Sequence, residues 1–174
     1  RSVIEPLPQM PGDPPRRVLL AEFVVGARRL LVANTHLAYR PKMVEGRRKQ
    51  AQAALTAIRR HYPKPGDCPK VLCGDFNDVA DSPAIRLVLN DVLGFRDAFR
   101  ECHPRSRGYT YSPPQNPYVD PCWTEVQRID YIFLTQGLKA KNCSVVFDNS
   151  RGLDFVSDHF GVLFTIQFSG RRAR

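Results

Sequence analysis

Four short polar clusters interrupt apolar, strand-like runs in this chain: Asn34-Thr35-His36-Leu37, Gly74-Asp75-Phe76-Asn77, Arg128-Ile129-Asp130-Tyr131 and Ser157-Asp158-His159. Each puts a carboxylate, an imidazole or an amide where a strand pattern calls for an apolar side chain. Burying such groups is costly unless they are paired or hold a ligand. Four of them in one chain point to a single assembled site.

The chemistry follows from the residue types. Gly74 permits close backbone approach. Asp75 and Asn77 are two residues apart and point the same way in an extended chain. A carboxylate and an amide then face one reacting group. The carboxylate suits proton transfer from water or metal ligation, and the amide suits a phosphate oxygen. The plainer alternative is an Asx-type turn ending a strand. Asp130 lies inside an apolar strand and needs a partner: a histidine, an arginine or a metal. A structural ion pair with Arg128 is the plainer choice. Asp158 and His159 diverge in an extended chain, so one can reach a cation while the other reaches a phosphate or Asp130. A hydrogen bond from Asp130 to the His159 ring would fix its tautomer and raise its basicity. His36 ends a strand and suits donation to a phosphate oxygen. His61, at a helix C-terminus, reads as structural, and His103, before a proline, as exposed.

These groups need a frame. Residues 1–17 are Pro-rich and read as an irregular lead-in. Val18–Val25 and Arg29–Asn34 read as a hairpin turned by Gly26-Ala27-Arg28. Residues 43–61 carry Ala51, Ala54, Leu55 and Ile58 at helical spacing, with basic residues opposite and Pro63 and Gly66 as stops. Lys70–Cys73 is a short strand. Ser82-Pro83 opens a helix to about Asn90. Residues 101–127 form a long loop with prolines at 104, 113, 114, 117 and 121, of the kind that is usually functional. Arg128–Leu134, Cys143–Phe147 and Gly161–Phe168 are the last strands. Strands interleaved with helices predict a layered α/β sandwich. The expected division is a lead-in over 1–17, the domain over 18–168 and a basic tail over 169–174.

Composition narrows the classes. A chain of 174 residues with 43% hydrophobic content is expected to be one globular domain. No apolar run reaches the ~18–20 residues of a membrane span. Arg1–Pro6 has no signal-peptide core, and the missing initial Met suggests a start inside a longer protein. A net charge of +9 favours polyanions, either nucleic acid or an acidic lipid surface. The tightest basic clusters are Arg47-Arg48-Lys49 and the tail Arg171-Arg172-Ala173-Arg174. The five cysteines (68, 73, 102, 122 and 143) are odd in number and form no Cys-x-x-Cys, which argues against a disulfide framework and a zinc site. A reducing, intracellular compartment is the default expectation.

Taken in order, Asn-Thr-His-Leu, Gly-Asp-Phe-Asn, Arg-Ile-Asp-Tyr-Ile-Phe and Ser-Asp-His-Phe-Gly-Val resemble the later motifs of the endonuclease/exonuclease/phosphatase superfamily over residues 34–162. That superfamily includes deoxyribonucleases, base-excision endonucleases, neutral sphingomyelinases, inositol polyphosphate 5-phosphatases and deadenylases. The resemblance implies a four-layer αββα sandwich and Mg²⁺-dependent phosphate-ester hydrolysis, with Mn²⁺ as a substitute. It implies that Asp75 orients or deprotonates the attacking water. Asn77 would help hold the phosphate and the metal shell. His159 would contact the scissile phosphate, with Asp130 orienting it, and His36 would hydrogen-bond the phosphate. Asp158 would lie at the metal, so the implied metal set is Asp75, Asn77 and Asp158. In-line displacement needs such an aligned water, charge neutralisation and donors to the equatorial oxygens.

The superfamily pattern also has an early strand-end Asn and a helix-borne Glu ahead of Asn-Thr-His-Leu. The 33 residues before Asn34 show neither; Glu5 sits among prolines and Glu22 lies mid-hairpin. The sandwich is therefore expected to be incomplete, lacking its N-terminal part, and the chain alone to be poorly active. Substrate stays open between nucleic acid and phospholipid. Tyr109, Tyr111, Tyr118 and Trp123 interleave with Arg105, Arg107 and Arg128, a surface that suits unpaired bases or a lipid interface. Alternative readings are a neutral sphingomyelinase-like hydrolase and a catalytically dead module that binds nucleic acid or acidic membrane.

Overall fold

The computed structural model describes residues 1–63, 68–120, 122–149 and 155–169. Its main sheet has six strands in the order β1-β2-β3-β4-β6-β5. They are β1 (Ser2–Pro6), β2 (Arg17–Val25), β3 (Arg28–His36), β4 (Lys70–Asp75), β5 (Arg96–Asp97) and β6 (Asp130–Leu134). The helices are α1 (Val44–His61), α2 (Pro83–Leu89) and α3 (Ala98–Cys102), and a second, two-stranded sheet pairs β7 (Leu138–Val146) with β8 (Gly161–Phe168).

Local sequence explains the elements. β2 and β3 pair antiparallel around Gly26, whose φ of 62° is the positive value a tight turn requires. α1 carries Glu45 in its first turn and Arg59, Arg60 and His61 in its last, complementing the helix dipole. It is the crossover that lets β4 lie parallel to β3. Ser82 caps α2, its hydroxyl accepting from the Ile85 amide at 3.3 Å, with Pro83 at the first turn. α3 is capped by Asp97, which accepts from the Phe99 and Arg100 amides.

Two apolar cores sandwich the sheet. On one face Val18, Leu20, Leu31 and Ala33 pack beneath Ala51, Ala54, Leu55 and Ile58 of α1. On the other, Val71 and Leu134 pack beneath Leu138 and Ala140 of β7, with Phe164 and Ile166 of β8 alongside. Each fully buried Leu or Ile contributes about 1.5–3 kcal/mol. Three of the four expected layers are thus present among the described residues: helices, the six-stranded sheet and the two-stranded sheet. The β7–β8 layer does not reach the far end of the main sheet, where Ile4, Leu19 and Phe23 stay exposed.

Two expectations change. The lead-in is not all irregular: Ser2–Pro6 pairs with β2 from Ser2↔Ala21 to Pro6↔Arg17. Val3, opposite Leu20, packs on the first core, and Pro6 falls at the strand's end, where a missing amide costs least. β7 begins at Leu138 rather than Cys143, because Leu138 and Ala140 are buried between exposed Lys139 and Lys141. The register then shifts between Ala140 and Asn142. Gly66, Pro121 and the tail 170–174 lie outside the described residues.

Candidate active site

Three of the motif residues sit side by side on consecutive strands. His36 ends β3 opposite Asp75, which ends β4, and Asp75 lies opposite Asp130, which opens β6. Paired strands run about 4.8 Å apart, so these side chains are neighbours by construction. The two-residue period places them on the β7–β8 face, where Val32, Val71, Cys73 and Ile132 join the second core. The His36 Nε2 lies 3.3 Å from Asp75 Oδ2. Gly74 makes the approach possible. A Cβ there would sit 1.9 Å from the Thr35 carbonyl oxygen, and the backbone has φ of +134°.

Asn77 reaches the site by a turn rather than by extension. Its φ is 50°, its backbone amide donates to Asp75 Oδ1 at 2.7 Å, and its side-chain amide donates to Asp75 Oδ2 at 3.2 Å and the Leu37 carbonyl at 3.1 Å. The Asx-type turn and the convergence of Asp75 with Asn77 are therefore one feature. Phe76 points the other way and anchors the turn, edge-on to Tyr131 and Phe133.

His159 comes from the coil segment before β8. Its Nδ1 is 2.8 Å from Asp130 Oδ2, and its Nε2 is 3.9 Å from Asp75 Oδ2. The Tyr111 ring packs edge-on against the imidazole, centroids 5.0 Å apart. Ligand atoms of Asp75, Asp130 and His159 all lie within 4.8 Å of one another. Asp158 is exposed and lines the same cleft, its carboxylate accepting from the Ser157 hydroxyl at 3.1 Å. It stands outside the compact group of Asp75, Asp130 and His159.

The charges are strongly coupled. Burial, then the facing Asp130 carboxylate, pushes the Asp75 pKa up to about 7. For His159 burial alone would lower the pKa; the Asp130 hydrogen bond and the Asp130, Asp75 and Asp158 charges prevail and raise it to about 9. His36 shifts the opposite way, lowered by partial burial and by the Arg16 and His159 charges, although its side chain is 56% exposed to screening solvent. Two carboxylates facing across one ladder position, with the Asn77 amide beside them, form a donor set that fits a hard divalent cation. Carboxylate and amide oxygens suit Mg²⁺ and Mn²⁺.

The group opens into a cleft of about 550 Å³, whose wall includes Tyr39, Asn77, Tyr111 and Trp123. The cleft wall also includes a buried pair that motif reading missed. Arg47 of α1 is buried, donates to Asp78 Oδ2 at 3.0 Å, and holds the carbonyls of Ala38, Arg40 and Pro41. In sequence Arg47 sits in a basic run on the helix face; its neighbour Gln50, also buried, donates to the Pro8 carbonyl and accepts from the Ala38 amide. Arg128 does not pair with Asp130. Its Nη2 donates to Asp97 Oδ2 at 2.6 Å, and its guanidinium lies over the Tyr131 and Phe99 rings, away from the cleft. β6 begins only at Asp130, so Arg128 lies before the strand and the two-residue alternation does not place the two side chains on one face. Of the aromatic loop, Tyr111 and Trp123 face the cleft, Tyr118 is exposed, and Tyr109 accepts from Arg107. His61 is structural, bonded to Glu5 at 2.7 Å, and His103 is exposed and bonded to the Cys143 carbonyl.

Carboxylates, an amide and histidines thus gather at the strand ends of a layered α/β fold. The sequence profile of the endonuclease/exonuclease/phosphatase family matches residues 7–159, and the chain belongs to that family. Protein angel homolog 2 of Danio rerio is 39% identical over 68 residues, and its Homo sapiens counterpart 35%; these stretches are 38% of this chain and 12% of either relative. Among solved structures, Danio rerio TDP2 complexed with a single-strand DNA product superposes with a TM-score of 0.79 at 19% identity, over 96% of this chain and 67% of that one. The human Nocturnin catalytic domain with a bound sulfate anion gives 0.78 at 17% identity, over 97% and 59%. The chain thus spans about two thirds or less of these solved neighbours and a small part of the curated relatives.

Proposed function

We propose that this chain carries the hydrolytic centre of a Mg²⁺-dependent phosphodiesterase. The observation that supports it most is the convergence of Asp75, Asp130 and His159 within 4.8 Å, with Asp75 and His159 lining the cleft. Asp75, with a pKa of about 7, orients the attacking water and takes its proton near neutral pH. The new oxygen–phosphorus bond forms as the bond to the leaving oxygen breaks, and the leaving oxygen takes its proton from solvent. His159, cationic below about pH 9, meets the charge that develops on the phosphoryl oxygens, and Asp130 fixes its ring. Asn77 and His36 donate to the same phosphoryl group. Asp75 and Asn77, with Asp158 at the rim and Asp130 beside them, are the groups to hold Mg²⁺ or Mn²⁺; a bound cation supplies charge neutralisation at the phosphate.

For substrate, we favour a nucleic-acid phosphodiester over a phospholipid. The +9 charge suits a polyanion, and Trp123 and Tyr111 in the cleft wall suit an unpaired base. The test is release of p-nitrophenol from bis(p-nitrophenyl) phosphate, with single-stranded DNA, RNA and sphingomyelin assayed in parallel, in Mg²⁺ and in EDTA. Slow Mg²⁺-dependent turnover, lost in Asp75→Asn and kept in Arg48→Ala, is the expected result. Salt-sensitive binding of the oligonucleotides with no turnover of any substrate would contradict it and leave a binding module.

A further inference from the structure

His159 and Asp130 are 29 positions apart, and no ladder of sheet hydrogen bonds joins β6 to the segment 157–159 among the described residues. Something else must hold them at 2.8 Å. The long loop after α3 supplies it. Thr110 is 1% exposed, and its hydroxyl oxygen accepts from the Ile129 amide at 3.1 Å and the Asp130 amide at 3.2 Å. Its carbonyl accepts from the Phe160 amide at 2.7 Å. One residue therefore grips the main chain of Asp130 and of the residue next to His159. Asn116, 2% exposed, makes a second grip: its side-chain amide donates to the Ser157 carbonyl at 2.8 Å, and its Oδ1 accepts from the Tyr118 amide at 3.0 Å. Exchanged hydrogen bonds between Tyr111 and Gln127 fasten the strap to the strand that runs into Asp130.

From this geometry we infer that Thr110 and Asn116 are positioning residues that set the Asp130–His159 pair. Neither is among the residues lining the cleft; both act through the main chain of Asp130 or of the residues flanking His159. Of the loop's three buried polar residues among the described residues, Ser112 bonds within the loop to Gln115, while Thr110 and Asn116 both place their side chains on the segments carrying the two members of one hydrogen bond. The inference gives the long loop a role in catalysis distinct from substrate contact, and as a statement about catalysis it rests on the hydrolase reading above.

The test reads the pair directly and needs no turnover. In ¹⁵N-labelled, cation-free protein, the His159 Nδ1 proton shared with Asp130 is followed by its solvent exchange rate. Thr110→Val removes the shared acceptor at nearly constant volume, Thr110→Ser keeps it, and Asn116→Asp removes the donor to Ser157. Exchange is expected to rise roughly tenfold in Thr110→Val and in Asn116→Asp, about what one lost hydrogen bond represents, and to return to the native rate in Thr110→Ser. Thr135→Val is the control. Thr135 is equally buried and accepts from the Lys70 amide at 2.8 Å, far from the pair, so its loss should lower stability without changing that rate. An unchanged rate in both Thr110→Val and Asn116→Asp overturns the inference, and if Thr110→Val fails to fold, Asn116→Asp alone decides. Strap-dependent protection in a chain that hydrolyses no phosphodiester would refute the hydrolase reading while leaving this positioning intact.

Discussion

His36, Asp75 and Asp130 occupy matching register positions on three paired strands, whereas His159 arrives from coil, its segment held by the Asn116 side chain on Ser157 and the Thr110 carbonyl on Phe160, in a loop far away in sequence. The first group is fixed by main-chain pairing, which depends little on individual side chains. The second depends on a few buried polar contacts, each worth about 1 kcal/mol. The difference predicts that the strand-end group tolerates substitution of its functional side chains without loss of fold. The His159 arm should lose its geometry first when conditions become unfavourable.

The largest expected effect separates function from fold in the strand-end group. Asp75→Asn should cut hydrolysis by about 10³-fold, the scale of a lost general base, with no loss of stability. Burial already disfavours the charge on Asp75, so a neutral amide is at least as well accommodated. Steady-state rates and urea midpoints of the same preparations check both halves of the statement. Next comes the backbone beneath it. Gly74→Ala forces a Cβ against the Thr35 carbonyl and should cost about 3 kcal/mol or more in urea unfolding; a midpoint shift under about 1 kcal/mol would show that register there is not pinned by close approach.

The third prediction concerns pH. In EDTA, the His159 ring should titrate near 9 and His36 below 6.5, two histidines of one cleft moving apart. The folded pKa of His159 lies above its unfolded value, so its contribution to stability is complete below about pH 6.5 and lost as pH rises through about 9. Asp75 works the other way. Its folded pKa lies above the ordinary carboxylate value, so a stability penalty sets in as pH rises from about 4 to about 7. Asp130→Asn should return His159 toward 6.5 and remove the alkaline part of that loss, as followed by NMR titration and unfolding at stepped pH. The smallest effect is at the Tyr111 ring: Tyr111→Leu removes the edge contact to His159 and should cost about 0.5–1.5 kcal/mol.

The same contrast explains what could be read in the sequence. The strand-end motifs were legible because a polar residue inside an apolar alternation is conspicuous, and hairpin, crossover helix and capped second helix followed from Gly26, from the Ala51–Ile58 spacing and from Ser82-Pro83. β1 was hidden by its flanking prolines, and the first half of β7 by its lysines, which mask a two-residue alternation of small apolar side chains. The plainer alternative, an Arg128–Asp130 ion pair, does not form because the partner of Arg128 is Asp97, 31 residues away. Thr110, Asn116 and Arg47 carried no local signal at all. Their burial is imposed by tertiary contacts, and a threonine or asparagine in a Pro-rich loop is what any loop contains.

In the proposed hydrolysis His36 and His159 both face one bound phosphoryl group. Inorganic phosphate titrated into ¹³C-histidine-labelled, full-length chain in Mg²⁺ tests that most directly. Both rings should shift together with a single dissociation constant, and both shifts should vanish in Asn77→Ala, while His61 and His103 stay still. A shift of one ring without the other, or two separate constants, would contradict the account.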